Sequence, residues 1–156
     1  MIVVSNTTPL NYLVLIDAID ILPVLFGEVY APSAVVSELN APSTPMKIRE
    51  WIASPPGWLR ILEPAKIDSG LDLGAGEIGA IALAEQLKAS LLLVDDRRAR
   101  RVAEQRGLDA IGTLGVLVSA ASKNLINMPE LLGRLGTTSF RVSASLIQKT
   151  LKGHGN

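Results

Sequence analysis

Two adjacent aspartates, Asp95 and Asp96, close the apolar run "SLLLVDD". Consecutive carboxylates beyond a buried segment repel one another at low dielectric, so such pairs need a cation or a hydrogen-bond network to offset the repulsion. Two more acids fall in comparable places. Glu38 lies in "PSAVVSELN", and Glu77 follows the glycine-rich "DSGLDLGAG". The first apolar run, in "MIVVSNTTPLNYL", ends in Ser5-Asn6-Thr7-Thr8, where an amide stands in place of a carboxylate. Directly after the acidic pair come Arg97, Arg98, Arg100, Arg101 and Arg106. The chain has no cysteine, which excludes disulfides, thiolate metal ligands and cysteine nucleophiles. Its single histidine, His154, is in the tail and is expected to be inert.

Each residue also has a purely structural explanation. Asn6 or Thr7 could cap a helix, since short polar side chains satisfy its unpaired N–H groups. Glu38 could be a solvated helix residue. Glu77 could be the third-position acid of a capped helix, favoured by the helix dipole. One of Asp95 and Asp96 is expected to cap the arginine-rich helix. The arginines could form a solvated face, with Arg100–Glu104 and Arg101–Gln105 at i,i+4 spacing. Arg97 stands out as the best candidate for a phosphate contact.

The elements that would position these groups alternate. Ile2–Ser5, Glu28–Ala31, "WLRIL", "SLLLVDD" and "LDAIG" read as five strands. Between them lie helical segments. Pro9–Leu22 is largely apolar, with a break expected near Asp17. "PSAVVSELN" and "APSTPMKIREWIAS" follow, then "EIGAIALAEQLKA" and "RRARRVAEQRG", the last closed by Gly107. Three more helices are expected at "TLGVLVSAASKN", "PELLGRLG" and "SASLIQKTLKG". Strand–helix alternation implies an α/β fold, a three-layer sandwich with a mainly parallel five-stranded sheet of doubly wound type. Sites in such sheets lie beyond the carboxyl ends of the strands, where strand order reverses. Strands 1 and 4 would have to be neighbours for Asn6 and Asp95-Asp96 to share one cleft.

The bulk composition fits one domain, expected at residues 1–150, with a frayed tail at 151–156. The 156 residues are 48% hydrophobic but only 4% aromatic, so the core is built from Leu, Ile, Val and Ala. Fifteen basic residues balance fifteen acidic ones. No global field draws nucleic acid in, and any phosphate binding must be local. No basic leader precedes the first apolar run, and no apolar stretch approaches the ~20 residues of a membrane span. The expectation is a cytoplasmic protein with no membrane partner.

The stretches "VVSNTTPLNYL", "FGEVYAPSAVVSEL", "GAGEIGAIALA", "LLLVDDRRARRVAEQRGLDAIGTLGVL" and "LLGRLGTTSFRVSASLIQKTL" fall in an order that resembles the PIN-domain ribonuclease superfamily. The likeness is to small stand-alone prokaryotic PIN-like proteins related to VapC-type toxins, and it covers nearly the whole chain. It implies three or four acids holding one or two Mg²⁺ or Mn²⁺ ions and hydrolysing single-stranded RNA to 5′-phosphate and 3′-hydroxyl ends. On that pattern the metal set is Asn6, Glu38, Glu77 and Asp95 or Asp96, with Thr7 supporting. Glu38, Glu77, Asp95 and Asp96 are then the catalytic acids, and Arg97 the substrate contact. Asn6 departs from the pattern, because the first position is an acid in the family.

An asparagine carbonyl can still ligate a hard cation. What it lacks is one negative charge, so weakened metal binding is expected. Two functions follow. One is a metal-dependent endoribonuclease, with the family implying a toxin, a small antitoxin partner and a homodimer through apolar helices around residues 9–26 and 113–135. The other is a PIN-like binding module that has lost catalysis. A receiver domain fits badly, because receivers place their acidic pair after strand 1 and need a late lysine. A haloacid-dehalogenase-type phosphatase would need Asp-x-Asp after strand 1. With six aromatic residues, extensive base stacking is not expected.

Overall fold

The computed structural model describes residues 1–140. The strands are β1 (Val3–Ser5), β2 (Val29–Ala31), β3 (Leu59–Ile61), β4 (Leu91–Leu93) and β5 (Ala110–Ile111). They form one sheet in the order β3-β2-β1-β4-β5, and every neighbouring pair is parallel. The helices of the described residues are α1 (Thr7–Leu15), α2 (Ile21–Phe26), α3 (Ser33–Leu39), α4 (Met46–Ala53), α5 (Ala75–Leu87), α6 (Arg97–Gln105), α7 (Thr113–Ser122) and α8 (Met128–Gly136).

Side chains on a strand alternate between faces, and here that alternation divides the core in two. Val3 and Leu93 join Leu10, Leu13, Leu39, Ile48, Leu117 and Leu132 on one face. Val4, Leu92 and Val94 meet Ala80, Ile81, Leu83, Ala99 and Ala103 on the other. Both faces are covered, which is why the strands read as unbroken apolar runs. Complete burial of each such aliphatic side chain stabilises the fold by roughly 1.5–3 kcal/mol. In α6, Ala99 and Ala103 are buried one turn apart, so the arginines between them are carried outward.

The strand order turns between β1 and β4. From β1 the chain builds outward through β2 and β3, and it later returns to add β4 and β5 on the other side. Val3, Val4 and Ser5 pair with Leu91, Leu92 and Leu93, and the Asn6 N–H continues the ladder to the Leu93 carbonyl at 2.8 Å. The adjacency required by the acidic residues is therefore present. Asn6 and the Asp95-Asp96 pair leave the sheet side by side at its switch point.

Boundaries shift in detail. The apolar stretch expected as Pro9–Leu22 begins two residues earlier and is two helices, α1 and α2. They are separated at Asp17, whose φ of 58° cannot continue a helix. Lys47 ties that corner down, with Nζ 2.7 Å from Asp17 Oδ1. β2 starts at Val29 rather than Glu28. Gly107 closes α6 with φ 80°, as its sequence position implied. The segment "SASLIQKTLKG", the tail at 151–156 and His154 lie outside the described residues.

Candidate active site

Four helix starts, of α1, α5, α6 and α7, lie around the carboxyl edge of β1 and β4; Asn6, Glu77, Asp95 and Asp96 are at or beside them, and Glu38 reaches them from the end of α3. Asn6 occupies the N-cap position of α1 with extended backbone, φ −79° and ψ 177°, yet its side chain makes no capping bond. The residue is only 3% exposed, and its Oδ1 has no hydrogen-bond partner. A buried carbonyl oxygen left unpaired costs about 1–3 kcal/mol, so this atom calls for an electropositive partner. The helix-cap explanation of Asn6 does not hold.

Glu38, near the end of α3, is half-buried and held on both oxygens. Thr7 Oγ1 donates to Oε1 at 2.5 Å, and the Gly76 N–H donates to Oε2 at 3.0 Å. These two bonds join the start of α1, the end of α3 and the start of α5. A methyl group at position 76 would stand 2.5 Å from Glu38 Oε1, so a side chain there would push the carboxylate out of its present place. Glu38 is thus a fixed carboxylate, not a solvated one.

Glu77 lies in the first turn of α5, and its Oε1 accepts the Gly74 N–H at 3.0 Å. This is the structural role its spacing suggested. Its carboxyl is nevertheless raised above the ordinary glutamate range. Partial burial is the main cause, and the negative charges of Asp96 and Glu38 add to it, against the opposing Gly74 bond. Glu38, Glu77 and Asp96 therefore share one electrostatic neighbourhood.

The adjacent aspartates diverge. Asp96 is the N-cap of α6, with Oδ2 accepting the Ala99 N–H at 2.9 Å, and it faces solvent on the Glu77 side. Asp95 turns the other way. It accepts from the Thr113 N–H and from Thr113 Oγ1, both at 2.7 Å, and so anchors the start of α7. Its oxygen occupies the space that a side chain at Gly112 would need. Burial raises the Asp95 carboxyl, while the Thr113 bonds and the Arg100 charge act against that rise. The two carboxylates thus relieve their repulsion by pointing apart into separate bonding networks.

The arginines divide as well. Arg98 pairs with Asp72 at 2.8 Å, and Arg106 pairs with Asp68 at 2.8 Å and with Glu85 at 2.9 Å. Both brace the 68–72 loop that leads into α5. The i,i+4 pair Arg100–Glu104 does not form an ion pair among the described residues. Arg97 and Arg100 instead line a cleft of about 780 Å³ together with Asp95 and Asp96. Gly76, Gly112 and Thr113 were not read from the sequence as site residues. The signal for Gly76 was present in "GAGE", where a glycine precedes the acid at a helix start.

The available donors are all oxygens: the Asn6 amide oxygen and the carboxylates of Glu38, Glu77 and Asp96. That chemistry suits a hard divalent cation. Among the described residues, no three carboxylate or histidine side chains crowd around one point. The Asn6 Oδ1 adds a neutral, unpartnered oxygen at the same sheet edge.

An all-parallel sheet with acidic residues beyond its switch point defines a doubly wound α/β domain with its candidate site at the carboxyl edge of the strands. A family model described as a PIN domain, DUF3368, matches residues 2–156, and the chain belongs to that family. PIN domains are nuclease-type domains and are generally dependent on divalent metal. No curated protein and no solved structure matches the chain.

Proposed function

We propose that this protein is a Mg²⁺- or Mn²⁺-dependent endoribonuclease acting on single-stranded RNA. The observation that carries the reading is the buried, unpartnered Asn6 Oδ1, one residue from the threonine that holds Glu38. Asn6, Glu38, Glu77 and Asp96 would hold the ion. A bound divalent ion makes water more acidic and offsets charge on the scissile phosphate.

The chain's own residues do the rest by preorganisation. Thr7 and Gly76 fix Glu38, Gly74 fixes Glu77, and the Ala99 N–H fixes Asp96. Arg97, exposed at the cleft, meets a backbone phosphate of the RNA. Asp95 supports the site by anchoring α7 and ligates nothing. A toxin role in the cytoplasm, a homodimer through the apolar helices and a small antitoxin covering the acidic cleft belong to the same proposal.

A second reading, a binding module without catalysis, is favoured by the neutral corner at Asn6 and by the spread of the carboxylates. Incubation of labelled single-stranded RNA with Mn²⁺ separates the two. The nuclease reading expects internal cleavage that is lost on Glu77→Gln and on Asp96→Asn. Binding without cleavage assigns the module.

A further inference from the structure

The cleft beside Asp96 also carries basic and aromatic residues that lie outside the proposed metal set. Its acidic end is Asp95 and Asp96, and its walls include Thr8, Tyr12, Arg97, Arg100 and Phe140. Its volume, about 780 Å³, lies within the range of sites that enclose a small ligand. The arginines of α6 sort by side. Arg98 and Arg106 are tied to carboxylates on the loop side, whereas Arg97 and Arg100, on the cleft side, form no ion pair among the described residues.

Opposite the arginines stand two of the chain's six aromatic rings. Tyr12 and Phe140 meet edge to face, with centroids 4.9 Å apart and planes at 85°. The Tyr12 hydroxyl is 2.8 Å from Ser139 Oγ, which fixes the ring. Both rings are half-buried and line the cleft, so part of the pair is accessible from it to a planar group. Guanidinium groups on one wall and a rigid ring pair on the other are the two elements that bind a nucleic-acid strand without sequence readout. Asp95 and Asp96 oppose this by repelling phosphate at the inner end. The strand's phosphates therefore belong against Arg97 and Arg100, towards the mouth.

We infer that this cleft is the strand-binding groove for single-stranded RNA, in which Arg97 and Arg100 contact successive phosphates and the Tyr12–Phe140 pair stacks one base beside the reacting centre. The inference rests on the nuclease reading for its substrate class and adds Arg100, Tyr12 and Phe140 to the residues that meet it. One stacking slot also agrees with a chain poor in aromatics, where a long base platform is excluded.

The test is binding without cleavage. A fluorescein-labelled ten-residue oligouridine is titrated with full-length protein in EDTA, and anisotropy is read at several salt concentrations. Arg97→Glu and Arg100→Glu should each lower affinity about tenfold and make the slope against salt shallower by about one. Tyr12→Ala should lower affinity about tenfold, and Tyr12→Phe should keep it. Because Tyr12→Ala removes a packed ring, a wild-type measurement stands beside it. An oligomer carrying 5-iodouridine is photocrosslinked and the adduct is mapped by mass spectrometry, with Tyr12 or Phe140 expected. Unchanged affinity and salt slope in both arginine variants, or crosslinks confined to other faces, overturns the groove. Failure here with Mn²⁺-dependent cleavage intact refutes the groove alone. Groove-dependent binding with no cleavage refutes the nuclease alone.

Discussion

Replacing Asn6 by aspartate adds one negative charge at a position that is 3% exposed and already holds an unpartnered oxygen. Two opposite results follow from that single charge. At an effective dielectric of about 20, a unit pair about 4 Å apart attracts by about 4 kcal/mol, and a divalent ion doubles the figure. The hydration that the ion gives up on meeting the carboxylate takes back several kcal/mol. A net gain of about 2–3 kcal/mol for the ion remains, which corresponds to a roughly 30- to 150-fold lower Kd. Without metal the same charge joins Glu38, Glu77 and Asp96, where burial first and then the neighbouring negative charges already raise the Glu77 carboxyl. Metal-free Asn6→Asp should therefore melt below the wild type, and saturating Mn²⁺ should reverse the order. Calorimetric titration with Mn²⁺ and thermal melts in EDTA measure the two effects. A folded Asn6→Asp protein with an unchanged Mn²⁺ affinity would refute the placement of residue 6 at the metal site.

Four further predictions concern the rest of the site. Gly76→Ala should weaken Mn²⁺ binding about tenfold although every ligand is retained, because the methyl displaces Glu38; far-ultraviolet circular dichroism should show α5 intact, since alanine favours helix. Asp96→Asn should keep the α6 cap, because asparagine caps as well as aspartate, and lose metal affinity. Asp95→Asn should do the reverse, losing about 1–3 kcal/mol of stability in urea unfolding at the Thr113 contact with metal binding little changed. Glu77→Gln concerns pH. The folded Glu77 holds its proton more tightly than the unfolded chain does, so the metal-free protein loses stability as pH rises from the unfolded to the folded pKa. Glu77→Gln removes that loss, so at pH 7 in EDTA the variant should melt above the wild type, with the gap closing towards acid pH.

Much of the fold is legible because it depends on local pattern. Short β-branched runs, helical segments between them and Gly107 give element type and order, and the PIN-domain match agrees. The adjacency of β1 and β4 is not local. It comes from sheet pairing, which no single stretch encodes. The same limit applies to Asp95 and Asp96, which are identical in sequence terms. They are separated only by Thr113, 18 residues downstream from Asp95, whose hydroxyl and N–H take one of them away. The reading of Glu38 as a solvated residue failed for the same reason, since its partners, Thr7 and Gly76, are 31 and 38 residues distant. The arginine run was legible as a charge cluster but not as two sides of a helix with different partners.

The acidic groups here are already bonded to the protein. Glu38 and Glu77 accept backbone N–H groups at the start of α5, Asp96 at the start of α6, and Asp95 at the start of α7. Each helix start carries partial positive charge, so the backbone supplies part of the compensation that a bound cation would otherwise give. The same bonds tie each acid to a helix start, so the main chain, and not a set of salt bridges, holds the carboxylates at the sheet edge.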